Sequence, residues 1–223
     1  MEKIQLKPIE KETTTQDKVY TQIKKSILFG GFSSDEIFTE VQLAEILNTS
    51  RTPVRAAIQD LVKEGLLVWI PRKGVTIRKI TAEEEDEIFL LRSMIEVQVV
   101  RNIIKVIKSS KELDVLKAIV ANQEKAIKND DAIKFIELDH EFHISLTRLA
   151  HFSIMEQVLQ NLHNLTQLMG LKAVTKKGRA TDVIQEHYQI IQALEDKNSD
   201  LVEKYILDHL HNTKETLLHI DLS

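Results

Sequence analysis

Four polar residues of this chain fall where side chains should be apolar. With a helix advancing about 100° per residue, Asp139 and His143 lie in the middle of a stripe made by Phe135, Ile136, Phe142, Leu146 and Ala150. His187 is equally central among Val183, Ile184, Ile190, Ile191 and Leu194, and His209 lies among Val202, Tyr205 and Ile206. Burying a carboxylate and three imidazoles is costly unless they are paired, and one divalent cation would pair all four. Three nitrogens and one oxygen suit zinc first, with nickel, manganese or iron also matching the donor set. The alternative is three ordinary core histidines bonded to carbonyls or to Asp139. All eight histidines lie between His140 and His219, but His140 and His211 point away from these stripes.

Catalytic motifs do not complete themselves around the quartet. His140-Glu141-Phe142-His143 is one residue short of the zinc-protease helix motif, which needs histidines four apart. Glu137-x-x-His140 occurs once, whereas a di-iron bundle needs two such pairs. A metal-dependent hydrolase or lyase would also need a general base that the sequence does not nominate, so an enzyme remains the alternative reading only. Arg92, flanked helically by Ile88, Phe89, Ile95 and Val99, faces inward. There it could clamp a carboxylate bidentately or pair with Glu96 one turn on.

The elements that must position these residues are helical. Thr81-Ala82-Glu83-Glu84 is a capping box opening a long helix to about Lys108, and further helical stretches follow near 111–128, 130–150, 153–172, 181–196 and 199–219. No strand-like alternation intervenes, so residues 83–219 are expected to form an all-α bundle of about six helices.

The first third of the chain reads differently. Residues 1–12 are polar and aperiodic, a flexible tail by expectation. Val19, Ile23, Ile27 and Leu28 mark a first helix ended by Gly30-Gly31. Thr39 and Gln42 suggest a capping box for a second helix through Leu47, and Asn48-Thr49-Ser50 makes a turn into a third that runs to about Glu64. Pro53 is tolerated in its first turn, where no internal N–H bond is lost. Val54, Ile58, Leu61 and Val62 form the packing face, while Thr52, Arg55, Gln59 and Lys63 form a donor-rich face suited to a major groove. Arg51 and Arg55 could bind phosphate or guanine, and Gln59 could read adenine. Two short strands around Pro71-Arg72-Lys73-Gly74 make a basic wing for the DNA backbone or minor groove. Residues 13–78 are thus expected to be a winged helix-turn-helix.

Charge agrees with that division. The net charge is −4, yet residues 1–80 carry 13 Lys+Arg against 10 Asp+Glu, leaving 17 against 24 for the remainder. A basic head on an acidic body places phosphate contacts on the head. Cysteine is absent, no apolar run approaches the roughly 18 residues of a membrane span, and no secretion signal is legible, so a cytoplasmic location without membrane contact is expected.

Leu43-Ala44-Glu45, Ser50-Arg51-Thr52-Pro53-Val54-Arg55 and Glu64-Gly65-Leu66 through Gly74 resemble the GntR family of bacterial transcription regulators. The resemblance implies DNA contacts at Arg51, Thr52, Arg55 and the wing around Gly74, and binding as a homodimer to a palindromic operator, most often in repression. Where some relatives carry a base-reading Arg early in the second helix, this chain has Val41, which implies a different operator. The body, through Asp139 with Phe142-His143, Glu186-His187 and His209, resembles the all-helical FCD domain of the FadR subgroup. That implies a metal held by an Asp and three His, with a small carboxylate effector beside it controlling operator affinity.

Overall fold

The computed structural model describes residues 13–28, 32, 36–174 and 176–221. The expected tail over 1–12 and the Gly30-Gly31 stop lie outside the described residues. Two compact units divide the chain, Met1–Arg78 and Lys79–Ser223.

In the first unit, helices α1 (Thr15–Leu28), α2 (Glu40–Ile46) and α3 (Arg51–Lys63) precede strands β1 (Leu67–Ile70) and β2 (Gly74–Ile77). Helix α2 begins where the Thr39 hydroxyl accepts from the Gln42 N–H and the Gln42 side chain accepts from the Thr39 N–H, so two otherwise orphaned donors are satisfied reciprocally. Val54, Ala57, Ile58 and Leu61 are fully buried along one face of α3, against Ile23 of α1 and Leu43 of α2, both also buried. Val62 is only half-buried. Strands β1 and β2 pair antiparallel, Leu67 opposite Ile77 and Ile70 opposite Gly74. Phe38 then pairs with Val75, each N–H donating to the other's carbonyl at 2.8 Å. This close approach requires glycine at position 74. Its φ is +138°, and a Cβ there would lie 2.2 Å from the Phe38 carbonyl oxygen.

In the second unit, α4 (Ala82–Val106), a 3-10 turn (Ser110–Leu113), α5 (Asp114–Lys128), α6 (Ala132–Leu149), α7 (Ser153–Val174), α8 (Arg179–Glu195) and α9 (Ser199–Asp221) follow in order. The expected Thr81–Glu84 capping box opens α4. Helix α6 packs on α4, α5 and α7, and α8 packs on α5 and α9. The largest core cluster, with Val100, Ile103, Leu116, Phe135, Phe142, Ile190 and Val202 almost fully buried, draws on α4, α5, α6, α8 and α9. Burying several such side chains, each worth about 1.5–3 kcal/mol, is what holds Asp139, His143, His187 and His209 on converging faces. Among the described residues no helix is long and apolar enough to cross a membrane.

Candidate metal centre and candidate nucleic-acid interface

The quartet converges. One ligand-type atom from each of Asp139, His143, His187 and His209 lies within 4.8 Å of every other. His143 Nε2 is 3.2 Å from His209 Nε2 and 3.9 Å from Asp139 Oδ2, while His187 Nε2 is 3.5 Å from Asp139 Oδ1. Ligands sharing one cation at bonds of about 2.1 Å stand roughly 3–4 Å apart, so these spacings fit a single ion. The three histidines are buried and Asp139 is partly open.

Each imidazole turns Nε2 inward because its Nδ1 is engaged on the outside. His143 Nδ1 is 2.6 Å from Glu96 Oε2 on α4, His187 Nδ1 is 2.9 Å from Gln123 Oε1 on α5, and His209 Nδ1 is 2.7 Å from Glu186 Oε2 on α8. An acceptor on Nδ1 fixes the tautomer that leaves Nε2 with a free lone pair and raises its basicity. Phe142 stacks on His187 at 3.9 Å with ring planes 12° apart, which locks that ring further. His187 Nε2 is buried without a hydrogen-bond partner among the described residues. A buried polar atom left so is unusual in folded proteins, and an ion in this position would satisfy it.

Electrostatics agree. Burial, followed by the neighbouring His209 and His143, pushes His187 well below the ordinary histidine range, and burial lowers His209 against the opposing pull of Glu186. Neutral imidazole is the form that ligates. Burial raises Glu96 and Glu186, yet Arg92 with His143, and His209 with Arg179, outweigh it and bring each to about 2. Both carboxylates therefore remain charged acceptors.

Of the two expectations for Arg92, the pairing with Glu96 is the one seen. Its Nε donates to Glu96 Oε1 at 2.7 Å, and it lines a cavity with Asp139, His140, His143, Thr166 and Gln167. The expectation that His140 points away from the site is corrected. Helix α7 covers that flank, so His140 stacks on His163 at 3.8 Å and burial, then His163, lower it to about 3. His211 is exposed as expected. Sequence reasoning missed Gln123 and Gln167 entirely, and treated Glu96 and Glu186 only as a neighbour of Arg92 and as part of a motif. Arg179 was missed as well; its Nη1 and Nη2 donate to Glu186 at 2.7 and 2.8 Å.

In the first unit Arg51, Thr52, Arg55 and Gln59 lie exposed on α3, Arg72 and Lys73 are exposed at the wing tip, and Gly74 is half-buried. A residue not foreseen organises two of them. Glu40, at the start of α2, accepts from Arg55 Nε at 2.9 Å and Nη2 at 2.8 Å, and Arg51 Nη2 is 3.6 Å away. The Arg55 hydrogen bond is the largest cause holding the Glu40 carboxyl below its usual range. Val41 beside it is 42% exposed, leaving an apolar contact at the foot of the basic pair.

A three-helix unit with a two-stranded wing, followed by a six-helix bundle with an inward Asp/His set, defines a class of DNA-binding regulators. Residues 15–77 match the family described as bacterial regulatory proteins, gntR family, and residues 87–212 match the FCD domain. The chain is 30% identical over 213 residues, 95% of each chain, to the uncharacterized HTH-type transcriptional regulator YdhC of Bacillus subtilis. It is 25% identical to the HTH-type transcriptional repressor RspR of Escherichia coli, across 91% of this chain and 89% of that one. In fold it is similar to a putative transcriptional regulator GntR from Rhodococcus sp. RHA1, with a TM-score of 0.74 at 19% identity over 92% of this chain and 97% of that one. The chain belongs to the GntR family, with an FCD domain as its C-terminal part. It is a DNA-binding transcription regulator, and the enzyme alternative falls with that membership.

Proposed function

We propose that this regulator is a repressor whose operator affinity is set by a small carboxylate bound beside a divalent metal in the FCD domain. Asp139, His143, His187 and His209 hold the metal, zinc before nickel, manganese or iron. The observation that carries the reading is the common orientation of the three imidazoles, with Nδ1 engaged by Glu96, Gln123 and Glu186 and Nε2 turned toward Asp139. When bound, the ion supplies a Lewis-acidic position for an anionic oxygen. The residues around it do the rest. Glu96 and Glu186 keep the imidazoles oriented, and Arg92, spending Nε on Glu96, keeps its terminal nitrogens for a carboxylate at the cavity wall.

At the other end of the chain, Arg51, Thr52, Arg55 and Gln59 read the operator from the major groove while Arg72, Lys73 and Gly74 engage the backbone or minor groove. A homodimer meets a palindrome in the cytoplasm. Whatever factor the effector changes in operator affinity, the operator must change in effector affinity, typically 5–150-fold.

The test is elemental analysis of protein purified without chelator, beside His187→Ala, followed by operator titrations with and without a panel of small carboxylates. Near-stoichiometric metal that is lost in the variant, and operator affinity that changes with at least one carboxylate, support the reading. Metal-free wild-type protein, or operator affinity indifferent to every carboxylate, overturns it.

A further inference from the structure

Gln123 differs in kind from the other two residues that hold the rings of the candidate centre. Glu96 on His143 and Glu186 on His209 are ionised carboxylates and can only accept. A primary amide accepts at one end and donates at the other. Gln123 is fully buried and its Oε1 lies 2.9 Å from His187 Nδ1, while its Nε2 is buried with no hydrogen-bond partner among the described residues. His187 Nε2 is in the same condition, 3.5 Å from Asp139 Oδ1.

These two unmet nitrogens are linked through one proton. A neutral imidazole has a single N–H, and burial keeps His187 neutral. With the proton on Nδ1, Gln123 accepts it through Oε1 and His187 Nε2 offers a lone pair, which is the form that ligates. Turning the amide by half a revolution exchanges its oxygen and nitrogen without moving its neighbours. Gln123 Nε2 then donates to His187 Nδ1. One proton leaves Nδ1 and one arrives at Nε2, so the charge of the ring is unchanged, and Nε2 donates to Asp139 Oδ1 once the gap closes by about half an ångström. Both nitrogens now have partners. The one atom of the pair left unmet is an amide oxygen, which burial tolerates better than an orphaned N–H. The turned form is therefore the better satisfied without metal, and the form seen here is the one that metal requires.

Resting on the metal reading above, we infer that Gln123 is the positioning residue that makes metal loading reversible. Its amide turns, so that His187 is a ligand when metal is bound and a hydrogen-bond donor to Asp139 when it is not. Glu96 and Glu186 offer no such second arrangement, so His187 is the ligand that lets go. Nitrogen-15 NMR of the full chain, stripped by chelator and then titrated with zinc, reads the protonated nitrogen of His187. It should be Nε2 before zinc and Nδ1 after it. In chelator competition at pH 8, Gln123→Met, which lacks both ends of the amide, should hold zinc about tenfold more weakly. Gln123→Glu, an acceptor only, should hold it about tenfold more tightly and release it more slowly. Thermal unfolding establishes that each variant is folded, and the tautomers of the wild-type protein decide the matter where a variant is not. A His187 protonated on Nδ1 in both states, an imidazolium in the metal-free protein, or wild-type zinc affinity in either folded variant overturns the inference and reduces Gln123 to a packing residue. If the wild-type protein takes up no zinc, the metal reading itself falls and takes this inference with it.

Discussion

His209 Nδ1 lies 2.7 Å from Glu186 Oε2, and the same carboxylate receives both Nη atoms of the buried Arg179 at 2.7 and 2.8 Å. One side chain of α8 thereby orients a ring of the candidate centre on α9 and neutralises a cation that is 5% exposed.

Two variants separate those roles. Glu186→Gln keeps an acceptor for His209 but weakens it, and should lower metal affinity about 10–100-fold, as loss of an outer partner typically does. Glu186→Ala also strands Arg179, and breaking a buried pair from one side costs about 3–5 kcal/mol. Chelator competition and denaturant unfolding should rank the variants accordingly. Equal metal affinity in Glu186→Gln and wild type would show that Glu186 serves Arg179 alone.

On the DNA-binding unit, Arg55→Ala should cost roughly 1–3 kcal/mol of specific operator binding. Glu40→Gln touches no predicted base contact, yet it releases the bidentate hold on Arg55 and removes a negative charge. Non-specific binding should rise while the ratio of specific to non-specific affinity falls. Titrations against operator and scrambled duplex at two salt concentrations measure both, and an unchanged ratio would mean that Arg55 needs no positioning.

Metal-free protein should lose stability on acidification. Burial holds His140 at about 3 in the folded bundle, against about 6.5 when unfolded, and His187 is depressed in the same direction. Below the unfolded value the unfolded chain binds protons that the folded chain refuses. Stability is thus fully present above about 6.5 and falls as pH drops toward about 3, by up to ~1.4 kcal/mol per pH unit for each such group. Glu96 and Glu186, at about 2 folded against 4.5, add loss of the same sign below 4.5. Urea midpoints across this range check the slope, and His140→Asn should flatten it. With metal present the dependence should steepen, because protons then compete with the ion for the imidazoles.

Gly74→Ala should disable the wing with little effect on the bundle. The added methyl would lie 2.2 Å from the Phe38 carbonyl oxygen at a φ of +138°, so the Phe38–Val75 pairing has to open or the backbone strain, at about 1–3 kcal/mol. Operator affinity should fall and metal content remain at the wild-type level. Operator binding equal to wild type would place the wing outside the interface.

Much of this architecture was legible in local pattern. The capping boxes at Thr39 and Thr81, the two faces of α3 and the inward placement of His143, His187 and His209 all follow from helix periodicity and the needs of unpaired backbone N–H groups. These constraints act over three or four residues. Periodicity around a single stripe misread His140, because α6 packs on α4 and α5 and is also covered by α7, and counting one apolar face does not reveal a second neighbour.

What the sequence by itself determined is which side chains turn inward and which chemistry they could share. Only the tertiary structure decided their partners. Glu96 meets His143 across 47 residues, Gln123 meets His187 across 64, Glu186 meets His209 across 23, and Glu40 meets Arg55 across 15. Helix periodicity sets the direction of a side chain about its own axis, whereas a hydrogen-bond partner on another helix is chosen by how apolar faces pack. The same packing leaves Gln167 Oε1 buried without a donor among the described residues, a feature no local pattern encodes.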